Sequence, residues 1–167
     1  MRMEFTKLQA LGNDYLYVDC SKRMLPRLIL PLLSRKICDR HFGVGADGLI
    51  LVARGDEHPF RMIFYNPDGS EAEMCGNGIR CFARFVYENG LSRSRTQDIE
   101  TKAGVIHTEI LQTGRNFMIR ADIGKPILES KRIPVRTRGE SCIDQDIDVA
   151  GRKIRITSLS LGNPHTL

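Results

Sequence analysis

Tryptophan is absent, and aromatic residues make up only 7% of the 167 residues. No apolar run approaches the roughly 20 residues that a bilayer-spanning helix needs. Met1-Arg2-Met3-Glu4 opens no signal-peptide pattern. These absences predict a cytoplasmic protein with no membrane partner. The five cysteines (20, 38, 75, 81 and 142) are odd in number, contain no CxxC pair and lack small-scaffold spacing, which predicts reduced thiols. A concentrated basic run is also missing. The 25 Lys and Arg exceed the 20 Asp and Glu by 5, but Arg93, Arg95, Lys131, Arg132, Arg152 and Lys153 are interspersed with acids and apolar residues. A nucleic-acid binder gathers such charge on one face or in one run, so no nucleic-acid partner is expected. What is present is a globular composition: 41% hydrophobic and 27% charged residues, with 15 Gly and 7 Pro. It excludes a collagen-like or largely disordered chain. The length fits one domain, or one domain and part of a second.

Short strand-like segments dominate. Residues 3–8 and 15–19 flank Gly12-Asn13-Asp14, which reads as a hairpin or tight turn. Residues 31–39 look helical, with Pro31 at the first helical position and Leu32, Leu33 and Ile37 on one side. Residues 49–53 and 60–65 read as strands, and Asn66-Pro67-Asp68-Gly69 is a strong turn signal. One long helix is expected from about Asn77 to Glu88, stopped by Asn89-Gly90. Arg80, Arg84 and Glu88 form its only polar row, so its remaining circumference should be wrapped by other elements. Beyond it the pattern is β: residues 105–111, 117–123 and 152–161. After the turn Gly162-Asn163-Pro164-His165 no closing element is expected, which leaves two readings, a frayed tail or a chain cut before a further segment.

Three motifs invite chemistry. Gly43-x-Gly45-x-x-Gly48 matches the dinucleotide fingerprint formally, but that site needs a strand before it and a helix after it. Here the order is reversed, so a connecting loop is expected. Cys38-x-x-His41 pooled with Cys75 and Cys81 would give four zinc ligands, yet no CxxC knuckle is present and Cys81 falls inside the apolar helix, so no metal is expected. Cys75-Gly76-Asn77-Gly78 differs. A strand-like segment, residues 70–74, runs into a cysteine at a helix start whose unpaired amides and partial positive charge suit a carboxylate or phosphate. The same field favours a thiolate there, ready to act as base or nucleophile. A buried cysteine before a glycine turn is the plain alternative.

Asn66-Pro67-Asp68-Gly69-Ser70 followed by Cys75-Gly76-Asn77-Gly78-Ile79-Arg80-Cys81 resembles the signature of the diaminopimelate epimerases. Three further segments agree in order: Lys7 through Gly12-Asn13-Asp14-Tyr15, Arg40 through Gly43-Val44-Gly45-Ala46-Asp47-Gly48, and Ser160-Leu161-Gly162-Asn163-Pro164-His165. The resemblance implies a cofactor-independent epimerase of lysine and peptidoglycan-precursor biosynthesis, interconverting LL- and meso-diaminopimelate without pyridoxal phosphate. One cysteine thiolate removes the α-proton and a second cysteine, on the opposite face, returns one. Cys75 matches the first cysteine. Gly76 and Asn77 match the amides that hold the carboxylate at the reacting carbon, and Asn13, Asn66 and Asn163 match side-chain contacts to substrate. His165 matches a histidine that tunes the cysteines.

The implied fold is α/β (α+β), a curved, mostly antiparallel sheet wrapped around a central buried helix, in two similar domains with the site between them. Residues 1–117 would form the first domain and 118–167 the opening of the second. Gly48 stands where some members carry a substrate-binding Gln. The family's second cysteine, and the Glu-Arg pair that clamps substrate, have no counterpart here, which predicts a fragment inactive alone. The implied partner is the small-molecule substrate, with a homodimer left open. Proline-type racemases and phenazine-type isomerases share the fold group, and a non-catalytic domain binding diacids or a partner chain is the alternative from another class.

Overall fold

Near the start the chain doubles back: β1 (Thr6–Ala10) pairs antiparallel with β2 (Asn13–Asp19). The turn is Leu11-Gly12, both with positive φ (52° and 89°), as a hairpin turn matching the strand twist requires. Asn13 and Asp14, expected in the turn, are therefore the first residues of β2. The structure is a computed structural model describing residues 3–137 and 139–167. The chain divides into two compact units, one ending at Asp122 and the other running Ile123–Leu167.

In the first unit β3 (Leu49–Arg54) pairs parallel with β2, and β4 (Phe60–Tyr65) pairs antiparallel with β3. The short β5 (Glu71–Ala72) lies against β4, within the expected stretch 70–74. β6 (Thr96–Thr101) pairs parallel with β4, followed by β7 (Gly104–Gln112) and β8 (Met118–Asp122) in antiparallel succession. Each parallel pair needs a long crossover, and each has a helix in it. α1 (Leu30–Cys38) joins β2 to β3, and α2 (Gly76–Glu88) lies between β5 and β6.

α2 packs against β1, β2 and β3 and also against β7 and β8. Both ends of the strand order thus reach one helix, so the sheet curls around it, as the wrapped-helix expectation required. Ile79, Cys81, Phe82, Ala83, Phe85 and Val86 are all buried. Tyr15, Tyr17, Ile50, Val52, Met62 and Phe64 face α2, while Leu16, Val18, Leu49, Leu51 and Ile63 form a second core with α1. Burial on both faces explains why residues 49–53 are continuously apolar rather than alternating. Asn89 and Gly90 end α2 as expected, with Gly90 at φ 67°.

α1 begins at Leu30, so Pro31 is its second residue. Its buried positions are Leu30, Ser34 and Cys38, one helical row, while Leu32 is 56% exposed. The expected Leu32 face is corrected accordingly. β6 was not expected from the sequence, because two of its buried positions are polar: Gln97 and Glu100. Glu100 accepts hydrogen bonds from the Glu57 and His58 amides and from Arg61, tying the β3–β4 loop to β6.

The second unit holds two hairpins: β9 (Gln145–Val149) with β10 (Arg152–Ile156), and β11 (Ser158–Ser160) with β12 (Pro164–Thr166). The single strand expected over 152–161 is therefore two strands broken at Thr157. Residues 164–166, expected to lie beyond the last element, form β12, and Leu167 exchanges backbone hydrogen bonds with Thr157. Among the described residues no helix is long and apolar enough to cross a membrane.

Candidate active site

The start of α2 is built around Cys75, the N-cap, whose extended backbone (φ −143°, ψ 117°) turns the chain out of β5 and into the helix. Its Sγ accepts the Gly78 N–H at 3.3 Å, the bond a capping side chain makes to the third helical residue. The helical ladder begins with Ile79 N–H donating to Cys75 C=O at 2.8 Å. The Gly76 and Asn77 amides precede that ladder, where a helix leaves its N–H groups without an intrahelical acceptor and suits an anion. Gly78 packs closely: a Cβ there would sit 2.9 Å from Ile50 Cδ1 on β3 and 3.3 Å from Cys75 Cβ.

Two tyrosines of β2, on the face turned to α2, reach this turn. Tyr15 Oη lies 2.9 Å from Cys75 Sγ, and Tyr17 Oη donates to Gly78 C=O at 2.8 Å. Burial, more than the neighbouring thiol, pushes the Tyr15 phenol far above its ordinary range, and burial does the same to Tyr17. Both stay protonated. Neither residue was expected in the site, because a tyrosine in an alternating apolar strand reads as core.

Three of the sequence segments converge beside them. Asn77 Nδ2 donates to Asn13 Oδ1 at 2.6 Å, and Asn13 Nδ2 donates to Asp47 at 3.2 Å. Arg80 donates to Asn77 Oδ1. Asp47 also accepts from the Asp14 amide and from Arg40, while Asp14 pairs with Arg40 at 2.7 Å and Lys7 at 2.9 Å. Those two cations, Arg40 first, hold the Asp14 carboxyl well below the usual range. The Gly-rich loop is thus a strut that fixes Asn13, with a helix before it and a strand after it. It is a connection between α1 and β3, as expected.

Asn66 occupies the turn after β4, where its Nδ2 donates to Ser70 Oγ at 3.0 Å and its carbonyl accepts from Ser34 on α1. Gly48 is buried, and a Cβ there would fall 2.3 Å from the Phe64 ring and 2.9 Å from Tyr65 C=O. A Gln at this position has no room, so this chain makes no side-chain contact there. Asn163 and His165 belong to the second unit, flanking the turn into and lying on β12, with His165 Nε2 3.1 Å from Asn163 Oδ1.

The other cysteines are buried. Burial raises the thiols of Cys20, Cys38 and Cys81. Cys38 and Cys81 lie in the two different cores, so the pooled zinc site is not assembled.

A family model described as diaminopimelate epimerase matches residues 5–129. The chain belongs to the diaminopimelate epimerase family. Diaminopimelate epimerase of Moorella thermoacetica is 48% identical over 164 residues, covering 98% of this chain and 58% of that protein. The Pelotomaculum thermopropionicum protein of the same name is 45% identical, covering 98% and 59%. The chain therefore spans somewhat under three fifths of the length of these relatives. Among solved structures, a phenazine biosynthesis protein of the PhzF family from Bacillus anthracis superposes with TM-score 0.63 at 21% identity over 98% of this chain and 53% of that one. A hydroxyproline epimerase from Agrobacterium vitis gives 0.63 at 14% identity over 94% and 48%. This chain and these neighbours share a fold.

Proposed function

We propose that this chain carries one half of a cytoplasmic, cofactor-independent diaminopimelate epimerase, with Cys75 as one of its two acid/base groups. The carrying observation is the start of α2: a half-exposed thiol, two unladdered amides, and Asn13 and Asn77 hydrogen-bonded together beside it. In the forward step the Cys75 thiolate takes the α-proton. The C–H electron pair moves into the substrate carboxylate, where the Gly76 and Asn77 amides and the helix dipole stabilise the developing charge. A second thiol on the opposite face then gives a proton to the carbon, which inverts it. Asn13, Asn66 and Asn163 orient the substrate's amino and carboxylate groups, and His165 tunes the thiols. Residues 118–167 are read as the opening of the second domain.

Two-sided chemistry needs a group on each face, and the other four cysteines of this chain are buried. Losing a positioned acid costs about 10²–10⁴ in rate, and losing orientation costs more. The 167-residue chain alone should therefore show negligible LL-to-meso conversion. Joining it to the remaining segment of the Moorella relative should restore turnover. Robust conversion by the 167-residue chain, abolished by Cys75→Ala, would place a second acid within it. A joined chain that binds the diacid without converting it would return the function to a binding domain.

A further inference from the structure

The hydrogen bonds at Cys75 come from two sources. Gly78 N–H reaches the sulfur from within the helix, as at any capped start. The second comes from another element: Tyr15 on β2 brings its Oη within 2.9 Å of Sγ across 60 positions of sequence. The Tyr15 side chain is buried and stands edge-on to Phe64 at 5.7 Å between centroids, so packing fixes the direction of its hydroxyl. Tyr17, two residues on and facing the same way, grips the Gly78 carbonyl. The pair thus holds both the sulfur and the backbone of the first turn.

We propose that Tyr15 is a positioning residue for Cys75, its O–H donating to the thiolate, fixing the sulfur's rotamer and stabilising the anion from which proton abstraction starts. This deepens the epimerase reading and rests on it only in taking Cys75 as the proton-transfer group. A hydrogen bond to an ionised acceptor is roughly twice as strong as one between neutral groups, so the donor favours thiolate over thiol. Burial keeps the phenol protonated, so the hydroxyl remains a donor at neutral pH. Within the first unit, the titratable and charged groups around the two tyrosines and the sulfur are Cys81 and Arg80 on α2 and Asp47 before β3. Cys81 is held neutral by burial, Arg80 is engaged with Asn77, and Asp47 with Arg40. Removing the Tyr15 hydroxyl therefore subtracts one donor and no charge.

The test is the pH dependence of Cys75 alkylation by iodoacetamide, read by mass spectrometry of its peptide, in the parent, Tyr15→Phe and Tyr17→Phe. Tyr15→Phe should move the midpoint upward by about one pH unit, the size expected for losing a hydrogen bond to a charged group. Tyr17→Phe loses a bond to the Gly78 carbonyl and one to Cys81, but none to the Cys75 sulfur, and should leave the midpoint in place while lowering the melting temperature. A Tyr15→Phe profile that superimposes on the parent overturns the proposal. Should Tyr15→Phe fail to fold, the labelled Tyr15 Cζ resonance decides. In the parent it should titrate with the alkylation midpoint and in Cys75→Ala it should not. A signal flat in both overturns the proposal. Neither readout involves diaminopimelate, so absent turnover in the joined chain would sink the epimerase reading and leave this result standing.

Discussion

Cys75 and Cys81 share one helix, six residues apart, and do opposite things. Cys81 lies in the interior turn, 5% exposed, where burial raises its thiol and it packs as a small apolar residue. Cys75 caps the same helix, half-exposed, with an amide and a phenol aimed at its sulfur. The residue type is the same, so the difference comes from the backbone. The interior turns have spent their amides on the helical ladder, and the first turn has not. The unladdered amides lie at the start of α2, and the rest of the helix is committed to holding the sheet.

The largest effect that could break this comparison is in labelling. Cys75 should alkylate from the folded state, whereas Cys81 must wait for unfolding, which for a domain of ordinary stability puts the rates roughly a thousandfold apart. Comparable rates in native conditions would mean that the interior of α2 is open. Next comes packing. Phe82 is fully buried, and Phe82→Ala should cost about 3–5 kcal/mol through the cavity it leaves. Arg84, on the polar row, pairs with Glu88 and lies over Phe117, and Arg84→Ala should cost about 1 kcal/mol or less. Chemical denaturation of both variants checks the order, and the wrapped-helix account fails if it reverses.

The helix was legible in the sequence because its apolar positions cover all but the row of Arg80, Arg84 and Glu88, and because Asn89-Gly90 marks its end. Its glycine-rich start was legible for a different reason: two glycines around an asparagine let a backbone approach a ligand. β6 was not legible, since Gln97 and Glu100 fill buried positions and erase the alternation. Tyr15 was hidden by the opposite problem. It sits where a core aromatic belongs, and only the folded register of β2 against α2 turns its hydroxyl toward the sulfur. The Asn13 turn was misplaced by one or two residues, because Leu11 takes the left-handed geometry that glycine or asparagine usually supplies.

Gly48 sharpens the comparison from the strand side. Gly48→Gln would press a side chain onto Phe64, which faces α2 and stands against Tyr15. It should destabilise the chain by about 1–3 kcal/mol, as overpacking does, without restoring any polar contact. Thermal melts and labelling of Cys75 would show whether the loss stays structural.

The smallest expected effect lies away from the site. The His58, Asp56 and Glu57 amides and Arg61 lower the Glu100 carboxyl from 4.5 to about 2, with the His58 bond the largest cause. A depressed carboxyl stabilises the fold fully above its unfolded value and stops doing so as the pH falls through its folded value. The melting temperature of the parent should therefore fall between pH 4.5 and about 2, and Glu100→Gln should flatten part of that fall. Identical slopes would remove Glu100 from the account.

The central claim is that proton transfer belongs to Cys75 and not to its neighbour on α2. The direct measurement is exchange of the α-hydrogen of diaminopimelate with solvent deuterium, catalysed by this chain joined to the remaining segment of the Moorella relative. Cys75→Ala should abolish exchange of the α-hydrogen that faces Cys75, in the LL epimer, while Cys81→Ala should retain it in whatever fraction of the protein stays folded. Exchange that survives Cys75→Ala at the parental rate, or that disappears with Cys81→Ala in a fully folded protein, would contradict the account.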